Sequence, residues 1–433
     1  MKMTKIALAV SATIFASSAM ATNGTNMTGV GAQSSAMGGT GVAAYYGAEN
    51  VIVNPAMIGK STGTEFSFGG TLFQPSVSNN GLLDGDGQDF VDSTADTFVI
   101  PSVSLTSRIN ESLTFGIGMY GTSGMGVNYS DNAVNFSGNV MNQFEAQSNL
   151  QIMRFVPTLA YNEANFGIGF SPIIQYGTLD INYKTVQRDS LGNPVIVDGA
   201  PVAMTVGKGA ASDLGMGYSI GGYFDIQENL TVAASYTSAI SMKYDGQLSI
   251  ASQPFVNPNP AYGFTSAFAD DLEQPAELKA GISYKMDNIT LTGDFKQIKW
   301  SDAKGYSDFG WEDQNVISVG AKYQGNGYWL GAGYNKADNP IKEQDGNTYG
   351  GAVVNMFNNM FFPATTEQHL SLGGGYNITK NVALDVAVVI APEVTTTVNT
   401  TGVTSAFAGS PVVSENTTKH SQSAYTVSVR YNF

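Results

Sequence analysis

The chain of 433 residues carries 20 Lys plus Arg against 35 Asp plus Glu, and its formal net charge of −15 argues against nucleic acid as a partner. It has no cysteine and only two histidines, His369 and His420, far apart in sequence, so neither a disulfide framework nor a thiolate metal site is available. Charged residues make up 13%, against a usual figure of about 25%, too few to clothe an ordinary soluble surface of this size.

The first residues address the compartment. Lys2 and Lys5 give a positive start, Ile6 to Phe15 is apolar, and Ala19-Met20-Ala21 is a small-x-small site. This pattern predicts a secretory signal peptide over residues 1–21, removed before Thr22. The apolar run is too short to span a bilayer, and no later run approaches the roughly 18 residues a membrane helix needs.

Residues 22–62 are small, apolar and uncharged for long stretches, and include GVAAYYGAENVIVNPAMIG. They read neither as a strand nor as an amphipathic helix. Pro55 pushes Asn54 out of the α region and marks a turn.

From Glu65 onward the chain alternates with a period of two. Leu113, Phe115, Ile117 and Met119 are interleaved with Thr114, Gly116 and Gly118. Leu230, Val232, Ala234 and Tyr236 repeat the theme, as do Ile289, Leu291 and Phe295, then Ile317, Val319, Ala321 and Tyr323. Val382, Leu384, Val386, Val388 and Ile390 share one face. Such strands put one face toward an apolar medium and the other toward water or small packing. Short links at 109–112, 161–165, 227–229, 287–288, 325–327 and 378–381 alternate with long ones near 77–97, 128–148, 184–210, 248–273, 300–314, 337–366 and 395–420. That asymmetry predicts an all-β fold, a transmembrane antiparallel β-barrel of about 14 strands over residues 63–433. An even number places both ends on the periplasmic side. A lumen of that width needs filling, so residues 22–62 are predicted to be an internal plug. A closed barrel has no edge that must pair, so a monomer is expected.

The chain ends on an alternating strand, with Tyr425, Val427, Val429, Tyr431 and the terminal Phe433 on one face. A terminal aromatic of this kind looks like the signal that outer-membrane proteins present to the barrel assembly machinery, and it suits the interface belt beside membrane lipid and lipopolysaccharide.

In order along the chain, these pieces resemble the FadL-type outer-membrane transporters of long-chain fatty acids and other hydrophobic compounds. TNGTNMTGVGAQSSAMGGTGVAAYYGAENVIVNPAMI resembles the family's hatch, with its Asn-Pro-Ala at Asn54, Pro55 and Ala56. LTFGIGMYGTSGMGVNYS resembles the Gly-rich strand that is kinked in the family. QPAELKAGISYKMDNITLTGDFKQIKWSD, NVISVGAKYQGNGYWLGAGYNKADNPI and TTEQHLSLGGGYNITKNVALDVAV resemble later strands. The resemblance implies passive transport of a hydrophobic ligand. It lands in an apolar groove among the outer loops, moves to a lumen site against the hatch, and leaves sideways through a wall gap at the kinked strand.

Candidate residues follow. Gly118, Gly121 and Gly124 crowd one strand, where glycine marks bends or makes room for the plug. Asn54, Pro55 and Ala56 are the hatch candidates. Phe136, Met141 and Phe144 in one loop and Phe264 and Phe268 in another offer an apolar landing site, or simply loop packing. Lys296 shares a lumen-facing register with Thr292 and Asp294, and Lys304 lies beyond it; each either meets a ligand carboxylate or pairs with Asp294 or Asp302. Arg154 has a similar standing. No cofactor or metal motif is present. Other functions compete on fewer residues. An enzyme would need more than His369 and Ser371, two apart on a strand and about 7 Å from each other. A general porin would lack the plug segment. An adhesin or receptor role would use the long loops. The ligand that the resemblance implies is a fatty acid, an aromatic hydrocarbon or another hydrophobe.

Overall fold

A computed structural model describes residues 22–81, 90–131, 145–187, 195–257 and 259–433. The signal peptide expectation at 1–21 therefore lies outside the described residues, and so do Phe136, Met141 and Phe144.

Fourteen antiparallel strands close a barrel. They are β1 (Thr64–Asn79), β2 (Phe98–Arg108), β3 (Leu113–Asn128), β4 (Gln147–Glu163), β5 (Phe166–Val186), β6 (Ala211–Gln227) and β7 (Leu230–Thr237). The second half is β8 (Glu277–Met286), β9 (Ile289–Ile298), β10 (Gln314–Gln324), β11 (Tyr328–Ala337), β12 (Gln368–Asn377), β13 (Val382–Asn399) and β14 (Glu415–Asn432). Each pairs with its sequence neighbour, and β14 pairs with β1 from Asn432↔Glu65 to Thr418↔Asn79, so the ring has no free edge.

The alternation decides which face points where. On β5, Phe166, Ile168, Phe170, Ile174 and Tyr176 are exposed, while Gly169, Ser171, Ile173 and Gln175 between them are buried. Apolar-out and small-or-polar-in is the inverse of a soluble sandwich, and it is stable only against lipid.

Residues 22–61 are nearly all buried and touch strands on opposite sides of the ring, which places them inside it. They begin as a tight pair, Thr22–Asn23 against Asn26–Met27. A short helix α1 (Ala32–Ala36) packs on β11 to β14. A second, α2 (Asn50–Val53), runs into a 3-10 turn, Pro55–Lys60, that packs on β3 to β6. The sequence explains the change of direction. Asn54 is extended, at φ −148° and ψ 109°, its side-chain oxygen accepts from the Ala56 amide at 3.0 Å, and Pro55 takes the first position of the turn. This is an N-cap followed by a proline whose missing N–H costs nothing there.

The long links fold into a cap over one end. It contains α3 (Leu248–Ser252), α4 (Tyr349–Phe361) and α5 (Thr401–Ala408). Thr348 caps α4 by accepting from the Gly351 amide at 3.2 Å. On its buried side Asn358 accepts from the Trp311 indole at 2.9 Å and donates to the Phe309 carbonyl at 2.7 Å, so the polar groups of this helix are satisfied inside an aromatic cap.

Candidate functional site

Three features meet around the N-terminal segment: its seats on the wall, a mixed cavity beside it, and a gap in the wall sheet.

The Asn-Pro-Ala turn is held from both sides. Asn54 is fully buried and its amide donates to the Val42 carbonyl at 2.8 Å. Beneath it the wall presents glycines. A Cβ on Gly221 would lie 2.0 Å from the Asn54 Oδ1, and one on Gly169 would lie 2.3 Å from the Pro55 carbonyl carbon. Close backbone approach is what glycine permits inside a strand. On the opposite side Gly38 adopts a positive φ of 72°, and its amide donates to the Ser371 hydroxyl at 3.0 Å. Ser371 in turn donates to the Ala36 carbonyl at 2.9 Å, so it is a seat for the segment. His369 is wholly buried, with Nδ1 3.2 Å from the Asn335 side-chain oxygen.

Asp294 of β9 makes a third seat. Its Oδ2 accepts the amides of Gly41 at 2.8 Å and Val42 at 3.0 Å. Tyr46 is buried nearby, within 3.1 Å of the Thr40 hydroxyl; burial pushes its phenol up to about 12, so it acts as a neutral hydrogen-bonding group.

Between the segment and β3, β4, β8 and β9 lies a cavity of about 80 Å³. Its lining includes the apolar Met27, Val30, Val42 and Ile52. It also includes three cations, Arg154, Lys279 and Lys296, and two carboxylates, Glu277 and Asp294. The carboxylates are largely committed elsewhere. Glu277 pairs with Lys279 at 2.7 Å and accepts from the Asn26 amide at 2.8 Å, and Asp294 holds the segment. Arg154 uses its Nε on Gln175 at 2.9 Å. Lys296 has no hydrogen-bond or ion-pair partner among the described residues, although it lines the cavity. A cation in a largely dry site without a partner favours an anionic guest.

The wall is incomplete beside the Gly-rich strand. β2 starts at Phe98, opposite Phe73, and its pairing with β3 ends at Ser102↔Tyr120. Above that level Gln74 to Val77 of β1 and the upper part of β3 face each other with no strand between them among the described residues. Among the described residues, Val91–Asp92 pairs with Asn79 and Ser78 above this space and residues 93–97 cross it. The Ser93 amide donates to the Val77 carbonyl and the Thr94 amide to the Asn128 carbonyl, both at 2.8 Å. The pairing of β3 with β4 shifts register between Gly121 and Ser123, a bulge that bends the strand at this height. From inside, the N-terminal residues close the gap. The Gly124 amide donates to the Thr25 carbonyl at 3.1 Å, Asn26 pairs with Ser123, and Met27 packs on the Phe73–Phe98 cluster.

Of the sequence-level candidates, Asn54, Pro55 and Ala56 are buried in the lumen, and Lys296 and Arg154 come together at the cavity. Gly121 and Gly124 lie at the bulge and the gap, and a Cβ on Gly118 would fall 2.2 Å from the Tyr120 hydroxyl. Phe264 and Phe268 meet edge to face with ring centres 5.2 Å apart, and Phe268 lies 4.4 Å from Phe309, so they form part of the cap. Lys304 is exposed in the link between β9 and β10 and does not reach the cavity. Sequence reasoning named Asp294 beside Lys296 but passed over Lys279 and Glu277, since strand pairing alone brings β4, β8 and β9 to one cavity. It also passed over Trp300, Tyr306 and Trp311, whose rings meet at 4.5 to 4.9 Å above Gly24. Three large aromatics in one link were the available signal.

Comparison with known proteins bears on these features together. Residues 8–433 match the family model described as outer membrane protein transport protein (OMPP1/FadL/TodX). A long-chain fatty acid transport protein of Escherichia coli O6:H1 is 23% identical over 317 residues, which span 65% of this chain and 69% of that protein. The crystal structure of a Pseudomonas aeruginosa FadL homologue superposes with a TM-score of 0.70 at 14% identity, covering 95% of this chain and 100% of the other. The crystal structure of the P. putida toluene transporter TodX gives 0.66 at 19%, covering 94% and 99%.

Proposed function

Because the chain belongs to the outer membrane protein transport family (OMPP1/FadL/TodX), we propose that it moves long-chain fatty acids, passively and sideways, into the outer membrane of a Gram-negative bacterium. Members of this family are outer-membrane transport channels for hydrophobic compounds and are not enzymes. The ligand and the route are our reading.

One observation carries it. The cavity beside the N-terminal segment combines apolar lining residues with Arg154 and with Lys296, which has no hydrogen-bond or ion-pair partner among the described residues. That combination suits an amphiphile with an anionic head. At about 80 Å³ the cavity accepts a head group and is short of an acyl chain, since pockets for drug-sized ligands run to several hundred Å³. The long tail then requires the segment at 22–62 to move, which makes it a hatch. The gap between β1 and β3 is the nearest exit. Residues 22–27 stop it from inside, and beyond it an outer groove lined by Gln74, Ser76, Asp96 and Ile390 meets the membrane. The ligand crosses the polar lipopolysaccharide layer within protein and leaves down its gradient. Both chain ends lie on the periplasmic side, the terminal Phe433 serves the assembly machinery, and the barrel works as a monomer.

A toluene transporter shares the fold, so an aromatic hydrocarbon is the alternative cargo; the cations beside the cavity favour the acid. The test is uptake of labelled long-chain fatty acid by cells lacking their own transporter, with the intact protein and with a variant deleted for residues 22–62. Uptake that depends on the intact segment supports the reading. A correctly inserted barrel that takes up toluene and no fatty acid overturns the choice of ligand.

A further inference from the structure

A cluster of charge unrelated to the cavity lies where the N-terminal segment meets the closing seam of the barrel. Glu49, in the segment, is 4% exposed and reaches the seam directly. Its Oε1 accepts from the Ser67 hydroxyl of β1 and the Ser428 hydroxyl of β14, both at 3.0 Å. Ser428 also accepts from the Ala32 amide at 3.2 Å, so the start of α1 is fixed through the same group. Gly31 closes against this carboxyl, and a Cβ there would fall 2.1 Å from it.

Every neighbouring element adds a titratable or charged side chain. From β1, Glu65 accepts from the Ala48 amide. From β13, Asp385 accepts from the Trp329 indole at 2.7 Å and binds the Arg430 guanidinium of β14. Arg430 lies 4.0 Å from Glu65 as well. From β3, Tyr120 faces Glu49 electrostatically, and the segment's own Tyr45 faces Glu65 and Arg430. Lys322 of β10 lies over the Trp329 ring, its ammonium donating to the Gln33 side-chain oxygen at 2.6 Å.

Three carboxylates therefore share one guanidinium. Arg430 is in contact with Asp385 and Glu65, while Glu49 feels it only through space and has two hydroxyls, and no ion-pair partner, against it among the described residues. Like charges at this spacing in a dry site do not all ionise together. We propose that Glu49 is a proton-operated latch, which seats the segment on the β14–β1 seam when protonated and loosens it when ionised. Burial first, then the Asp385 and Glu65 charges, push its carboxyl up to about 7, against the two serine hydroxyls that pull it down. Outside the barrel seam it would return to the ordinary range near 4.5. Glu49 touches no ligand in this scheme and acts by positioning the segment. The inference rests on reading residues 22–62 as a hatch.

The sign follows from linkage. Release takes the carboxyl from a site where it keeps its proton to water where it loses it. Opening is therefore unaffected at pH well below 4.5, grows between 4.5 and 7, and levels off above 7.

The natural chain has no cysteine, so one introduced at the buried Ser35 reports on the segment alone. The full-length protein with Ser35→Cys is labelled with a water-soluble maleimide from pH 5.5 to 7.5, with Glu49 intact and with Glu49→Gln. The thiol's own titration is common to both, so the ratio of rates isolates the latch. The expected ratio rises roughly tenfold over that range. A second variant, Ser428→Ala, removes a bond that favours the charged form and should move the rise to higher pH. A ratio that stays flat, or a rise unmoved by Ser428→Ala, overturns the latch. No ligand enters this measurement, so a failure of fatty-acid transport and a failure of the latch are read separately.

Discussion

Asn54 and Gly221 are in contact such that no side chain fits at Gly221, because a Cβ there would lie 2.0 Å from the Asn54 side-chain oxygen. The wall is thinned to bare backbone where the turn of the N-terminal segment rests. Gly221→Ala should therefore displace the turn at a cost of about 1–3 kcal/mol. Asn54→Ala should loosen it further, since the Ala56 amide and the Val42 carbonyl both lose a buried partner. Ion conductance across planar bilayers checks both: each variant should leak more than the parent, Asn54→Ala the more.

Lys296 lines the cavity with no hydrogen-bond or ion-pair partner among the described residues, only the longer-range charges of Glu277 and Asp294, so its ammonium can take a ligand carboxylate. Lys296→Met should weaken binding of a long-chain fatty acid roughly ten- to hundredfold, the worth of about 1.5–3 kcal/mol for a charged hydrogen bond. The matching fatty alcohol should bind both proteins alike. Titration calorimetry with the two ligands distinguishes this from general damage to the site, which would weaken both.

Neighbouring glycines of β3 should differ in tolerance. At Gly116 an added Cβ meets the tips of Val51 and Ile58, at 2.7 and 2.8 Å, and these can turn aside. At Gly118 it meets the Tyr120 ring at 2.2–2.4 Å, a wholly buried ring at the last residue paired with β2. Gly118→Ala should lower the unfolding midpoint clearly and Gly116→Ala only slightly. Heat-dependent mobility of the folded barrel on gels ranks the two.

Glu49 also predicts a pH dependence of stability. Its folded carboxyl sits near 7 and its unfolded one near 4.5, so its contribution is fully present below 4.5 and is lost as pH rises through 7. Relative to Glu49→Gln, the parent should lose up to about 3 kcal/mol across that window. Parallel unfolding midpoints at pH 4.5 and pH 8 would refute it.

The strands were legible because their signal is local. Alternation along β9 or β13 needs only a residue and its second neighbour, and the short links stand at the expected positions. Pro55 and Asn54 announced the turn for the same reason: their backbone preferences act within two residues. The strand edges were less sharp. The cap link between β7 and β8 runs from 238 to 276, longer than the 248–273 expected, because residues there leave the sheet while still apolar.

What the sequence by itself determined is the all-β class, the count of strands, the lipid-facing side of each and the presence of an uncharged segment ahead of them. Period and composition set these, and both are properties of neighbours in the chain. What only the tertiary structure decided is which polar side chains share a space. Arg154, Glu277 and Lys296 come from three strands, and Glu49, Ser67, Asp385 and Arg430 from four separate parts of the chain. Closure of the ring brings their lumen faces together around the segment. Burial then turns scattered charges, unremarkable in water, into a cavity lysine and a seam carboxyl that have no ion-pair partner among the described residues.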